Sequence, residues 1–177
     1  LMGQDRHLQV LGPVDSAFWY LDSSTTPMNL GSVMILDGKV DYQSVVTLIG
    51  SRIHEAPLYQ QRVETTTLNL GEPTWIFDPH FDVEDHVFHV SLPAPGDEEQ
   101  LRRLAGRIIS SMLDRKKPLW ELYLIDGLQG NRSALLLKAH HCMVDGISAV
   151  ELFTLMLDPS EQTQPLPARL PYRPPAP

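Results

Sequence analysis

Apolar residues in this chain recur at helical spacing in some segments. The clearest helix follows Asp97, which forms a capping-box variant with Gln100. The apolar residues of this helix recur at i, i+3, i+4, i+7 and i+11: Leu101, Leu104, Ala105, Ile108 and Met112. A second helix is predicted to begin after Asp41 and to run to Ile53. Asp15 is expected to cap a short helix that carries Ala17, Phe18 and Leu21. The run from Ile147 to Leu157 predicts a fourth helix.

Between these helices, apolar and polar residues alternate as they do in strands. Strands are predicted at Leu30 to Leu36, Arg62 to Leu70, Val83 to Leu92, Leu122 to Ile125 and Ala134 to His140, and Trp75 to Phe77 is a short apolar piece. The last of these is almost entirely apolar and is therefore expected to be central in its sheet. The order of elements predicts an α/β fold, a mixed sheet with helices packed on it.

The composition changes sharply near Asp158. Seven of the chain's 15 prolines fall in residues 159–177, which contain few large apolar side chains. Such a segment is typical of an extended linker. We therefore predict a domain over residues 1–158 and a proline-rich linker over residues 159–177. Composition alone does not decide between a terminal tail and a linker to a second domain.

Charge and cysteine content exclude some classes of function. The formal net charge of the 177 residues is −8, which argues against a nucleic-acid groove because such grooves are basic. The single cysteine, Cys142, excludes an internal disulfide framework and fits a reducing compartment. No apolar run approaches the ~20 residues of a membrane span, and the residues at the start do not resemble a signal peptide. We expect a cytoplasmic protein.

The segment that carries candidate chemistry is His140-His141-Cys142-Met143-Val144-Asp145-Gly146, at a predicted strand end. Open α/β sheets place ligands outside the ends of their strands. Alternation along the strand puts His140 and His141 on opposite faces, so one of them is expected to face a site while the other is structural. Asp145 is expected at a helix start, and Gly146 permits a sharp turn there.

These residues leave several interpretations open. A hydrogen-bonded pair of core histidines is the simplest, and a general base is the second. A metal site needs a third ligand, for which Asp145 or the pair His86 and His89 are candidates, although neighbours that face opposite ways chelate poorly. A Cys142–His nucleophile is the fourth interpretation, but we expect Cys142 to be a small buried filler.

The histidine segment resembles the HHxxxDG motif of coenzyme-A-dependent acyltransferases, which include chloramphenicol acetyltransferase and the condensation domains of peptide synthetases. Other segments resemble the bacterial wax ester synthase/diacylglycerol acyltransferases in particular, and they occur in that family's order: Pro13 to Phe18, Thr26 to Gly31, Asp78 to Asp82, Leu92 to Gly96 and Pro118-Leu119-Trp120-Glu121. The resemblance spans nearly all of residues 8–158 and corresponds to the first of the family's two domains.

The resemblance implies transfer of a fatty acyl group from acyl-CoA, as a substrate, to diacylglycerol or a long-chain alcohol. It implies that His141 is the general base, that His140 supports it, and that Asp145 is structural beside Gly146. It also implies that Pro118, Leu119 and Trp120 lie near the acyl channel, although a core tryptophan is the simpler interpretation of Trp120.

The resemblance implies no metal and no cofactor. The expected partners are a carboxy-terminal domain, in the same chain or a separate one, and the surface of a membrane or lipid droplet, with no nucleic acid. The alternatives are another HHxxxDG acyltransferase or condensation domain, a metal-dependent hydrolase, and a non-catalytic scaffold.

Overall fold

The computed structural model describes residues 9–65 and 71–144. Within them lie three α-helices: α1 (Pro13–Leu21), α2 (Tyr42–Arg52) and α3 (Glu98–Ile109). The strands of the same residues are β1 (Gln9–Val10), β2 (Asn29–Asp37), β3 (Gln61–Glu64), β4 (Thr74–Phe77), β5 (Val87–Ser91), β6 (Trp120–Leu128) and β7 (Arg132–His140).

The strands form two sheets. The larger has the order β2-β7-β6-β5, in which β5 and β6 are parallel and the other pairs are antiparallel. The smaller is antiparallel, with the order β1-β4-β3. The prediction of a mixed sheet with packed helices is confirmed, and so is the central place of β7.

The two faces of β7 belong to different hydrophobic cores. Leu135, Leu137 and Ala139 join the core that also contains residues of α2. Ala134 and Leu136 join the second core, together with Leu101 and Ala105 of α3. This alternation follows from the pleat of the strand, and it means that the central strand is covered on both sides up to the candidate histidines.

Local signals account for two of the helices. Asp41 Oδ2 accepts the Ser44 N–H at 2.8 Å, which satisfies a free donor in the first turn of α2. The capping box predicted for α3 is complete: Asp97 Oδ1 accepts from Gln100 N at 2.8 Å, and Gln100 Oε1 accepts from Asp97 N at 3.0 Å. Both predicted helix starts are confirmed.

Several predicted boundaries are wrong. Helix α3 ends at Ile109, so Met112, predicted on its apolar stripe, lies beyond the helix. Asp15 is not an N-cap, because Pro13 occupies the first helical position and Gly12 precedes it. The strand predicted from Val83 to Leu92 is shortened because Asp82 caps a 3₁₀ turn over Val83–Asp85. The strand predicted to end at Ile125 continues to Leu128 through a register shift.

Other predictions fall outside the described residues. These are the helix from Ile147 to Leu157 and the linker over residues 159–177. The strand predicted from Arg62 to Leu70 is shorter than predicted, because β3 ends at Glu64 and Thr65 is not part of it. Within the residues that the structure describes, no helix is long and apolar enough to cross a membrane.

Candidate active site

Strand β7 delivers the two histidines to the edge of the core. The strand ends at His140, and His141 begins a 3₁₀ turn that runs to Met143. The strand end predicted at His140 is confirmed. The predicted helix start near Gly146, like Asp145 itself, lies outside the described residues.

His140 is a buried residue whose imidazole shapes the turn. Its side chain is 1% exposed, and Nδ1 accepts the backbone N–H of Cys142 at 3.1 Å. The ring also meets the Trp19 ring edge-on, with 6.2 Å between centroids. Because Nδ1 accepts a hydrogen bond, the proton of the neutral ring lies on Nε2.

Burial lowers the pKa of His140 to about 4, and the positive charge of Arg115 acts in the same direction, while Asp22 opposes it. His140 is therefore neutral near pH 7. Arg115 is held near His140 by contacts with Trp19. The guanidinium carbon of Arg115 lies 3.5 Å from the centre of the indole ring, and Arg115 Nη2 donates to the Trp19 carbonyl.

His141 has a different environment. Its backbone N–H donates to the Met28 carbonyl at 2.7 Å, which ties the turn to the loop that precedes β2. Its ring stacks on Phe18 of α1, with 4.1 Å between ring centroids and 21° between planes. The side chain is half-buried, and within the described residues its imidazole makes no hydrogen bond. This is the histidine that solvent or a substrate can reach.

The two histidines thus occupy separate environments, as the alternation argument predicted. The physical reason differs in part, because His141 already belongs to a turn and not to the regular strand. Its direction is set by the turn and by the Phe18 ring. Sequence reasoning placed Phe18 on a helix but had no means to bring it to His141.

Cys142 contacts His140 and not His141. Its Sγ lies 3.0 Å from His140 Nδ1, and burial raises the pKa of the thiol to about 12. A thiol with that pKa stays protonated near pH 7 and is a poor nucleophile. The geometry therefore favours the buried filler over the Cys142–His nucleophile.

Asp22 is a site residue that the sequence analysis missed. It follows α1, and the whole residue is only 8% exposed. Its Oδ2 lies 3.7 Å from His140 Nε2, and its Oδ1 accepts the Met28 N–H at 2.9 Å. No spacing rule links residue 22 to residue 140. The only available signal was an acidic residue directly after an apolar helix.

The Pro118-Leu119-Trp120 segment lies behind the histidines. Leu119 and Trp120 have no exposed surface, and the Leu119 carbonyl accepts the His140 N–H at 2.9 Å. The Trp120 indole N–H donates to the Tyr59 carbonyl at 2.8 Å. The interpretation of Trp120 as a core residue is confirmed by its burial, and the place of this segment beside an acyl channel stays a prediction.

His86 and His89 do not meet the histidine pair. His86 is buried and stacks on Trp120, with its Nδ1 2.8 Å from the Trp120 carbonyl oxygen. His89 Nε2 lies 2.8 Å from Asp126 Oδ2 on a different strand. Among residues 9–65 and 71–144, no three His, Cys, Asp or Glu side chains are grouped closely enough to hold a metal ion.

Comparison with solved structures identifies the class of fold. Over 84% of its length the chain matches 37% of the starter condensation domain of rhizomide synthetase RzmA, with a TM-score of 0.65 and 16% sequence identity. At this identity the likeness shows the fold alone, and it is the fold that the resemblance to the HHxxxDG acyltransferases implies.

The chain belongs to the family described as the wax ester synthase/diacylglycerol acyltransferase catalytic domain, which matches residues 11–176. It is 36% identical over 151 residues to the probable diacylglycerol O-acyltransferase tgs3 of Mycobacterium tuberculosis, covering 84% of this chain and 56% of that protein. It also matches the wax ester synthase/diacylglycerol acyltransferase of Marinobacter aquaeolei at 32% identity with a TM-score of 0.73, over 90% of this chain and 41% of that one. The chain thus spans about half the length of these relatives, and the predicted family is confirmed.

Proposed function

We propose that this chain forms part of an O-acyltransferase that moves a fatty acyl group from acyl-CoA to diacylglycerol or to a long-chain alcohol. The observation that carries the proposal is the half-buried His141, presented at a strand end beside its buried neighbour in a chain of this family. The relatives' printed names, diacylglycerol O-acyltransferase and wax ester synthase, support the two acceptors.

In this proposal His141 is the general base. A hydroxyl is a poor nucleophile until its proton is removed during attack, and imidazole suits that task near neutral pH. An imidazole nitrogen of His141 takes the hydroxyl proton as the oxygen attacks the thioester carbonyl carbon. The tetrahedral oxyanion then collapses, the carbon–sulfur bond breaks, and the imidazolium returns its proton to the sulfur of the departing CoA. The products are an ester and free CoA.

The other histidine keeps the base in place. His140 is fixed by two hydrogen bonds: its Nδ1 accepts the Cys142 N–H, and its backbone N–H donates to the Leu119 carbonyl. Because the ring is neutral near pH 7, it adds no positive charge beside His141. An uncharged neighbour leaves His141 free to accept a proton. Asp145, for which the family resemblance implies a structural role, and Gly146 are proposed to support the segment that carries the two histidines.

We propose that the active site is completed by a second acyltransferase domain. Support comes from the match to only 41% of the Marinobacter aquaeolei enzyme, and from the half-buried His141, whose remaining exposed surface needs a wall to exclude water from the oxyanion. The test compares this chain alone with the chain plus the remainder of the protein, supplied as a separate polypeptide. Equal activity of a monomeric chain without that addition would contradict the shared site.

We also propose peripheral association with a lipid surface. Val14 and Leu21 of α1 are 67% and 62% exposed, and exposed apolar side chains favour docking at an interface. Vesicle flotation with neutral and anionic lipids tests this. The proposal requires that Val14→Ser and Leu21→Ser weaken co-flotation.

The function itself is tested with the complete protein, radiolabelled palmitoyl-CoA and either dioleoylglycerol or hexadecanol. Free thiol and the labelled ester are measured together. We expect thiol release only when an acceptor is present, with triacylglycerol or wax ester as the product. Thiol release that is independent of acceptor, with free fatty acid as the product, would identify a hydrolase instead.

A further inference from the structure

The buried carboxylate of Asp22 reaches both histidines by separate routes. Asp22 stands where α1 ends, and its own N–H donates to the Phe18 carbonyl at 3.1 Å. Its side chain is 3% exposed. A buried carboxylate is costly unless hydrogen bonds or charges compensate for the lost hydration, so the groups around it are informative.

The first route runs through the loop between α1 and β2. Asp22 Oδ1 accepts the Met28 N–H at 2.9 Å, and the Met28 carbonyl accepts the His141 N–H at 2.7 Å. The N–H and the carbonyl of Met28 belong to the two peptide units that flank this residue. Asp22 therefore fixes the loop residue to which the backbone N–H of His141 is hydrogen-bonded.

The second route runs through His140. Asp22 Oδ2 faces His140 Nε2 at 3.7 Å, which is longer than a hydrogen bond but close enough for the carboxylate charge to act on the N–H dipole of the neutral ring. The negative charge favours the tautomer with its proton on Nε2. That tautomer leaves Nδ1 free to accept the Cys142 N–H, the bond that closes the turn over His141–Met143.

We propose that Asp22 is a positioning residue for His141 in acyl transfer. Through Met28 it fixes the backbone N–H of His141, and through His140 it stabilises the 3₁₀ turn in which His141 lies. The proposal rests on the proposed function of His141. The simpler alternative is that Asp22 only stabilises the loop. The two differ because a merely structural residue lowers stability without a matching loss of kcat.

The chain offers a matched control in Asp78. Like Asp22 it is 8% exposed, and its Oδ1 accepts a backbone N–H, that of His80, at 2.9 Å. The loop it supports follows β4 and is not part of the turn that carries His140 and His141. Asp22→Ala and Asp78→Ala therefore each remove a buried carboxylate that accepts a backbone N–H, and of the two only Asp22 faces His140.

The first experiment measures kcat, KM and Tm of both variants in the complete protein. We expect Asp22→Ala to lower kcat by about 10²-fold with KM within about twofold of wild type, because small misplacement of a catalytic group has effects of this size. Asp78→Ala should lower Tm by a similar amount and keep kcat within about twofold. Equal losses of kcat in the two variants would overturn the proposal.

Asp22→Asn separates the two routes and serves if the alanine variant does not fold. Its amide oxygen can still accept the Met28 N–H, but its amide NH₂ then faces the proton on His140 Nε2. We expect a loss of kcat of about tenfold, smaller than that of the alanine variant. Wild-type kcat in Asp22→Asn would eliminate the route through His140.

A second readout does not depend on acyl transfer. Nitrogen-15 NMR of labelled histidine side chains reports the tautomer of His140 and the environment of His141. We expect one Nε2–H tautomer for wild-type His140, and a shift toward Nδ1–H with displaced His141 signals in Asp22→Asn. Unchanged signals would refute the positioning role even if His141 proved not to be the base, so the two proposals fail separately.

Discussion

Phe18 offers a direct test of how the candidate base is oriented. Its ring lies nearly parallel to the imidazole of His141, at 4.1 Å between centroids. Replacing it with alanine removes one wall of the base without touching any hydrogen bond. The expected effect is a broader distribution of His141 side-chain orientations.

The magnitude follows from the stacking geometry. An aromatic pair contributes about 0.5–1.5 kcal/mol beyond the area it buries. If that energy holds His141 in the productive orientation, its loss lowers kcat by about two- to tenfold, since each 1.36 kcal/mol or so is a factor of ten in rate. Truncation of a fully buried phenylalanine lowers the free energy of unfolding by about 3–5 kcal/mol. Because Phe18 is only half-buried, the loss of stability in Phe18→Ala should be smaller, and so should the fall in Tm.

The assay is acceptor-dependent thiol release by the complete protein, with Tm measured in parallel. Phe18→Tyr keeps the ring and should retain nearly full kcat, whereas Phe18→Leu keeps apolar bulk but should behave like Phe18→Ala. Tyr20→Ala is the matched control, because Tyr20 lies exposed on the same helix. Wild-type kcat in Phe18→Ala, or an equal loss in Tyr20→Ala, would refute the orienting role of the stack.

Three further predictions concern stability. Lys138 is fully buried, and its Nζ lies 3.1 Å from Glu121 Oε2. Lys138→Met should lower the free energy of unfolding by about 3 kcal/mol, and the double variant Lys138→Met/Glu121→Leu should recover most of that loss. Additive effects of the two substitutions on the free energy of unfolding would exclude the coupling. Burial lowers the pKa of both His140 and His86 below the usual imidazole value of about 6.5. The unfolded chain therefore binds protons that the folded chain does not, and stability should fall as pH decreases from about 6.5 toward about 4. His140→Gln should flatten that dependence in urea titrations, and an unchanged slope would contradict the assignment. Asp97→Ala removes the capping box of α3 and should lower the free energy of unfolding by about 1 kcal/mol. A loss too small to measure by chemical denaturation would contradict this prediction.

Sequence patterns predicted the elements whose signals are local. The start of α3 depends on residues three positions apart, and the two faces of β7 follow from strict alternation, so both could be inferred without tertiary information. The boundary errors arose where two local signals competed. Pro13 outweighed Asp15 at the start of α1, and the Asp82 cap shortened the strand predicted from Val83.

The site was predictable only in part. The strand end and the separation of His140 from His141 came from the pattern, and the roles came from the resemblance to a family. The contacts with Asp22 and Phe18 were not accessible, because they join residues more than 100 positions apart and depend on how α1 packs against the turn after β7. Such contacts are set by tertiary packing, which periodicity does not describe.

The central claim is that His141 is the general base of an acyl transfer. Its most direct test is the single-turnover rate of thiol release by the complete protein carrying His141→Ala, with saturating diacylglycerol and with Tm measured on the same sample. The account predicts a rate about 10²–10⁴-fold below wild type and a Tm within a few degrees of it, since the imidazole is half-buried and makes no hydrogen bond within the described residues. A rate near that of wild type in a folded variant would contradict the account.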